Sequence, residues 1–509
     1  MSQPAGSNKW LVTVSIAFGS LMATIDSSIV NVAVPVLRGE LGASITQITW
    51  ISVAYMIAMV LVMPLTGFLG AFFGQKRLYI TSLAVFVAGS ALCGTARSLE
   101  ALILWRVVQG FGGGALQPTQ MAILRQTFPP REQGMAMAVY TMVILIGPAV
   151  GPVLGGWLTD NYSWPWIFYI NLPVGLLGIF MTWRNVHEPE DVRAANRERA
   201  EKQRRNMDWA GIALMTVGVG ALQFFLEEGA QNDWFESGWV TASAFLALFG
   251  IAAFIIRELT ATAPVVNLRL FRDRAFTAST LVGMATMAML MGSMFLLPVF
   301  MQELQGLPAT EAGLALLPRT IAMMVVSPLI GRYYNRIGPA PMIAFGVALF
   351  MIGSWQLGHV TAFTSTAELI VPLALTGAGL ACLFVPLATA ALASIPRPLL
   401  ADATGLNNFL RQVAGSVGLT IFATLFTRYA ATARAGLAAQ VSVLRPEVHG
   451  NLRGAAIAVA REGTVIGFDR TFLLQAVMFL FLLPLLYFLR APRAAGSASP
   501  PVAVHLAAE

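Results

Sequence analysis

Residues 11–37 read LVTVSIAFGSLMATIDSSIVNVAVPVL, an apolar run with a single carboxylate, Asp26, inside it. A membrane-spanning helix needs roughly 20 mainly apolar residues. Runs of that kind recur along the 509-residue chain, separated by short polar connections. Hydrophobic residues make up 57% of the sequence and charged residues 11%, against about 25% charge in a soluble domain. The mean hydropathy is +0.70. The chain reads as an all-α polytopic membrane protein, and an acid within a span is costly enough to need a function.

Fourteen candidate spans follow from the pattern: 11–35, 46–70, 78–97, 101–123, 135–158, 164–184, 208–227, 238–257, 276–300, 311–332, 340–359, 366–394, 403–427 and 471–490. Glycine, at 46 residues, permits close helix approach. Proline, at 27, is tolerated where neighbouring helices satisfy the freed carbonyls. No small-residue cleavage site follows the first run, which reads as a retained span and not as a signal peptide.

The net charge of +7 could belong to a nucleic-acid binder, but the basic residues gather in particular loops. Lys76 and Arg77 lie between the second and third spans, Arg125 and Arg131 between the fourth and fifth. Arg184, Arg193, Arg197, Arg199, Lys202, Arg204 and Arg205 follow the sixth. The opposite short loops are poorer in Lys and Arg. The positive-inside rule puts both termini in the cytoplasm. The stretch 185–207 is the expected cytoplasmic linker, solvated and without a specific partner. Residues 428–470 depart from the charge trend, with six arginines on the expected outer side. They suggest one or two surface helices lying on the membrane, and a contact point for a partner.

Asp26 is the first candidate for chemistry. Desolvation favours its neutral form, so it can take and release a proton, pair with a cationic ligand, or serve as a structural acid beside Asn31 or Ser27. Arg106, in LILWRVVQGFGGGALQP, stays charged at any working pH. It needs partners such as Gln109 or a carboxylate, and Asp26 is an attractive one; otherwise it snorkels to the interface. Gln117, Gln120 and Gln223 are candidates to line the same cavity. Asn407, Asn408 and Arg411, in NNFLRQVAGSVG, either join it or face headgroups on the cytoplasmic side.

The run VILIGPAVGPVLGGWL holds Gly147, Pro148, Gly151, Pro152, Gly155 and Gly156. Glycine at every fourth position makes a flat strip for close packing. The prolines remove two donors. Gating at a bend and plain close packing are both open.

Other chemistries find no support. GFGGGALQP lacks the GK[ST] ending of a phosphate loop. Cys93 and Cys382 both fall in apolar segments, against a disulfide or a cysteine metal site. No metal, cofactor or hydrolytic nucleophile–base pair is expected, so the chain does not read as an enzyme.

These motifs resemble the fourteen-span drug–proton antiporters of the major facilitator superfamily, the EmrB/QacA-like group, over about residues 11–490. LMATIDSSIVNVAVPVL places Asp26, Asn31 and Pro35 at that group's marked positions. LILWRVVQGFGGG matches a fourth-span signature through Arg106, Gln109 and Gly110. GPAVGPVLGGWLTD matches the fifth-span antiporter signature, and QGLPATEAGLALLP and NNFLRQVAGSVG are similar to second-half segments. The resemblance implies a major facilitator fold. A six-helix bundle at 1–184 and a second at 258–490 would flank the linker 185–207 and an inserted helix pair at 208–257, with a cytoplasmic tail at 491–509. It implies alternating access and export of hydrophobic or amphipathic compounds in exchange for protons, from a bacterial inner membrane. A periplasmic adaptor and an outer-membrane channel are implied on the EmrB side, and neither on the QacA side. The loop GFLGAFFGQKRL departs from the family's pattern. Gly67, Gly74, Lys76 and Arg77 remain, but the acidic position falls on Ala71 and the next basic position on Phe72. Two rival readings stay open: an exporter of one metabolite, fatty acid or siderophore-like compound, and a membrane receptor or scaffold without transport.

Overall fold

Short polar caps start several of the helices, and glycines end four of them, at Gly74, Gly229, Gly338 and Gly358. In the computed structural model, which describes residues 8–205, 208–229, 232–261, 264–361, 363–441 and 452–489, α1 (Lys9–Glu40) is capped by Asn8. A reciprocal Ser44–Gln47 capping box starts α2 (Ile45–Val62), which continues through a tight turn into α3 (Thr66–Phe73). Then come α4 (Gln75–Thr95), α5 (Leu99–Thr127), α6 (Gln133–Asn161), α7 (Trp166–Tyr169), α8 (Asn171–Asn185) and α9 (Glu190–Arg205). Asp208 caps α10 (Trp209–Glu228), which pairs with α11 (Gly238–Thr260). The rest comprises α12 (Arg274–Val299), α13 (Ala309–Ala315), α14 (Leu317–Ile337), α15 (Pro339–Leu357), α16 (Ile370–Ala391), α17 (Leu400–Gln440) and α18 (Leu452–Leu480).

Gly74, between α3 and α4, has φ +82°, and Gly338, between α14 and α15, has φ +83°. Each amide closes back onto the carbonyl four residues earlier. The same turn thus recurs at two places in the chain, and only glycine enters that region without strain.

Among the described residues, twelve helical stretches are long and apolar enough to cross a membrane. The fold is all-α and multi-pass. Helices α5 and α6, each 29 residues long, cover the expected spans 101–123 and 135–158 and lie outside that set. Glycine, glutamine and two arginines lower the hydropathy of α5. Helix α11 leaves Phe245, Leu248 and Phe249 exposed, a face suited to lipid.

Two expectations change. The region 428–470 does not lie as separate surface helices. Its described part continues α17 and begins α18, and the two pack on each other. At 41 residues α17 is about 60 Å long, twice a hydrocarbon core of roughly 30 Å, so the excess projects as a hairpin. Gly467 lies against Ala430, and Arg434 Nη2 donates to Thr464 Oγ1 at 2.7 Å. Residues 442–451 lie outside the described set.

The linker 185–207 is also more than a solvated tether. Arg199 of α9 donates to Asp402 Oδ2 at 2.7 Å and to the Pro398 carbonyl at 3.1 Å. Glu188 accepts from the Gln75 amide at 3.3 Å and from Asn196 Nδ2 at 3.1 Å. The segment grips the start of α4 and the start of α17 together. Composition put these charges on one segment but could not say that acceptors 200 residues on would face them.

The glycine strip of α6 faces α1. A Cβ on Gly151 would lie 2.6 Å from Ser28 Cβ, and one on Gly155 2.9 Å from Ile29 Cγ1. Gly156 has nothing within 4 Å and is not part of the seam. The side chains of Pro148 and Pro152 lie outside the described residues. Gly151→Val should therefore cost about 1–3 kcal/mol by overpacking, read as a lower thermal midpoint of the purified protein, whereas Gly156→Ala should leave it unchanged. Equal midpoints for both would show that the seam is not a tight contact.

Candidate functional site

Helices α1, α2, α4 and α5 and the start of α8 converge on Asp26. Helix α5 presents Arg106 and Gln109 one turn apart on one face. Gly89 of α4 lets that helix close on the Gln109 backbone, where a Cβ would lie 2.7 Å from the amide nitrogen. Gly110 allows the same approach to α2, with a Cβ 2.8 Å from Ala58 Cβ. These two contacts bring the polar side chains within bonding range.

The resulting network is closed. Arg106 Nη1 donates to Asp26 Oδ2 at 2.6 Å and to Gln109 Oε1 at 2.7 Å. Gln109 Nε2 donates to Asp26 Oδ1 at 2.7 Å, and Asn171 Nδ2 donates to the same oxygen at 3.0 Å. Arg106 Nε donates to the Ile51 carbonyl at 3.2 Å. The guanidinium also lies 4.0 Å from the centroid of the Tyr55 ring, a cation–π contact. Asn171 reaches Ser90 Oγ at 3.0 Å, and Ser90 donates to the Phe168 carbonyl at 2.8 Å. Asp26 is 0% and Arg106 1% exposed. A buried pair of this kind needs further hydrogen bonds to be stable; here Asp26 accepts from Arg106, Gln109 and Asn171, and Arg106 donates through both Nη1 and Nε.

The sequence placed Asp26, Arg106 and Gln109 near one another only as a suggestion; the structure brings them together. It adds Asn171, Ser90 and Tyr55, which sequence reasoning missed. Asn171 could have been noticed as a lone amide in FYINLPVGLL, whereas nothing distinguishes Ser90 from other small polar residues in spans. Asn31 sits on α1, and its side chain lies outside the described residues.

Other candidates fall elsewhere. Gln120 lies about three turns along α5 from Gln109 and accepts from Ser20. Gln117, half-buried, shares that part of α5. Gln223 is buried on α10, with neither amide atom partnered among the described residues. Asn407 donates to Thr280 Oγ1 at 2.9 Å, and Asn408 to the Thr404 carbonyl at 2.8 Å and towards Met121 Sδ at 3.8 Å. Arg411 does not face headgroups: it packs 4.6 Å from the Phe384 ring centroid, with Gly283 beside its stem. Lys76 Nζ donates to the Trp183 carbonyl at 2.6 Å, and Arg77 is exposed. Gly67 faces Asp402 at the start of α17, where a Cβ would lie 2.7 Å from Asp402 Cα. Among the described residues no group of three or more His, Cys, Asp or Glu could hold a metal ion.

The family model described as Major Facilitator Superfamily matches residues 16–419. The chain belongs to the Major Facilitator Superfamily. As a member it is a membrane transporter and not an enzyme, and it is related to multidrug export proteins. It is 33% identical over 499 residues to the fatty acid resistance protein FarB of Neisseria gonorrhoeae, covering 95% of this chain and 97% of that protein. It is 32% identical over 506 residues to the multidrug export protein EmrB of Escherichia coli K12, covering 96% and 97%. Among solved structures, the human organic anion transporter MFSD10 superposes with a TM-score of 0.64 at 15% identity, over 95% of this chain and 100% of that one. The proton:xylose symporter XylE superposes with a TM-score of 0.61 at 11% identity, over 94% and 95%. These two show the shared fold.

In this major facilitator protein the Asp26–Arg106 pair should behave as one unit. Arg106→Ala leaves a buried carboxylate uncompensated and should cost about 3–5 kcal/mol of stability. The double variant Asp26→Ala with Arg106→Ala should lose less than Arg106→Ala alone. Thermal unfolding of the purified proteins measures both, and a strictly additive double variant would show that the charges are not coupled.

Proposed function

We propose that this protein is a proton-coupled antiporter that exports hydrophobic or amphipathic compounds across a bacterial inner membrane by alternating access. The observation that carries the reading is a carboxylate sealed inside a half-bundle and neutralised by a partner that cannot titrate. A proton arriving at Asp26 Oδ2 would displace Arg106 Nη1. The guanidinium would then keep Gln109 and the Ile51 carbonyl as its nearest acceptors. Protonation therefore changes how α1 is held to α5, and α1 packs through the glycine seam on α6. In the geometry described, Asp26 has no exposed surface, so proton entry requires these helices to part. Coupling then follows from differential affinity of the states for proton and substrate.

In this reading α5 and α6 also cross the membrane, giving fourteen spans. Helices α1–α8 form one six-span bundle and α12–α18 the other, with α10 and α11 inserted between them. The recurring turn at Gly74 and Gly338 supports two related halves. The basic loops support cytoplasmic termini. The export of varied compounds draws on the relation to EmrB, a multidrug export protein. A narrower substrate range has one specific support, the fatty acid resistance named for FarB. The projecting hairpin of α17 and α18 suits contact with a periplasmic adaptor leading to an outer-membrane channel.

The cytoplasmic gate in this reading is held by α9. The family's loop acid is replaced by Ala71, and Asp402 from the other half lies against Gly67 instead, held by Arg199. That contact closes one end of the molecule.

Two experiments test these readings. In proteoliposomes carrying a pH-sensitive dye, Asp26→Asn should reduce compound-driven proton movement at least about tenfold while the protein stays monodisperse. Full coupling in that variant would assign the proton elsewhere. For the gate, a cysteine at Thr66, buried against Gly405, is introduced into a background without Cys93 and Cys382. It should react with a maleimide several-fold faster when Arg199→Ala is added, and an unchanged rate would remove α9 from the gate.

A further inference from the structure

The interior of the C-terminal part of the chain carries buried positive charge that no described side chain pairs with. Arg319, in the first turn of α14, is 7% exposed. Its Nη1 donates to Ser293 Oγ of α12 at 3.0 Å, and its Nη2 is buried without an acceptor among the described residues. Among the described side chains no carboxylate pairs with it: the ion pairs there are Lys9–Glu132, Arg106–Asp26, Arg199–Asp402, Arg257–Asp208 and Arg397–Asp191. Asp26 is already neutralised in the other half.

Two features sharpen the imbalance. A guanidinium keeps its proton at any working pH, so Arg319 cannot escape the cost of burial by becoming neutral. It also stands in the first turn of α14, which no side chain caps. Its place is set by packing, because Gly377 of α16 brings that helix directly against the Arg319 backbone. Arg411 is the second unbalanced cation. It lies beside Gly283 of α12, about 15 Å along the helix from Ser293. Between those levels α12 presents Met287 and Met291 to α17 at Gly415, soft side chains that adapt to varied apolar shapes.

We infer that Arg319 and Ser293 form the seat for the anionic head of an amphipathic organic anion, whose apolar body lies along the methionine face of α12 towards Arg411. The assignment rests on the export reading above and names its substrate chemistry. The free Nη2 and the Ser293 hydroxyl together offer a carboxylate or similar group a charge-assisted contact. A neutral analogue of equal length would leave that donor bare.

The test is equilibrium binding of chain-matched probes, radiolabelled decanoate, decanol and decyltrimethylammonium, to the full-length protein in lipid nanodiscs, with empty nanodiscs as the partition control. The wild type should hold decanoate at least about tenfold more tightly than decanol and decyltrimethylammonium more weakly still. Arg319→Gln should erase the preference for decanoate with decanol binding unchanged, and Arg319→Lys should restore part of it, which a merely structural arginine would not do. Equal binding of decanoate and decanol by the wild type overturns the seat, as does an undiminished preference in Arg319→Gln. Size-exclusion profiles confirm that each variant is folded. The same nanodisc measurement needs no pH gradient, so its failure is separable from failure of antiport. Decanoate binding through Arg319 without proton flux would sink the antiport reading alone. Proton flux driven as well by decyltrimethylammonium as by decanoate would sink the seat alone.

Discussion

The buried contact between Asp26 and Arg106 constrains the rest of the first half. Two opposite charges with almost no exposed surface are stable only if every remaining donor and acceptor is matched, and matching them takes groups from several elements. Gln109 comes from the same turn as Arg106, the Ile51 carbonyl from α2, and Asn171 from the start of α8. Each must arrive within about 3 Å, which in turn requires helices to pack at distances that only glycine permits. Gly89 and Gly110 are therefore part of the electrostatic site, although neither carries a side chain.

That constraint also explains what could and could not be read from the sequence. Charged residues inside apolar runs announce themselves, so Asp26 and Arg106 were legible, and Gln109 followed from helical spacing. The all-α multi-pass fold was legible for the same reason, because a span is a local property of about 20 residues. Asn171 and Ser90 were not, since small polar residues are common in spans and their importance depends on which helix they meet. Arg319, inside the expected span 311–332, was not singled out. Only its packing against α12 and α16 shows it to be enclosed. The α9 contact was the least legible of all. Arg199 and Asp402 are far apart in sequence, and the loop that normally carries the acid has alanine at position 71.

The two halves solve the problem of buried charge differently. In the first, a cation and an anion are both built in, and the pair is neutral and closed. In the second, Arg319 and Arg411 have no acid paired with them among the described residues. A transporter gains from that asymmetry. A closed pair can be opened only by something that changes its charge, which a proton does. An open cation can be satisfied only by something that enters carrying the opposite charge.

Coupling between the halves then needs a physical path, and the helices supply one. Helix α6 packs on α1 through its glycine seam and on α14 where Gly134 and Gly331 meet. A shift of α1, following loss of its bond to Arg106, reaches α14 through a single intervening helix. Packed interfaces of this kind switch between discrete arrangements and do not deform smoothly. The Asp26–Arg106 pair and the arginine of α14 are thereby joined by two close backbone contacts, each depending on a missing side chain. Substituting either seam with a larger residue would act on both sites at once.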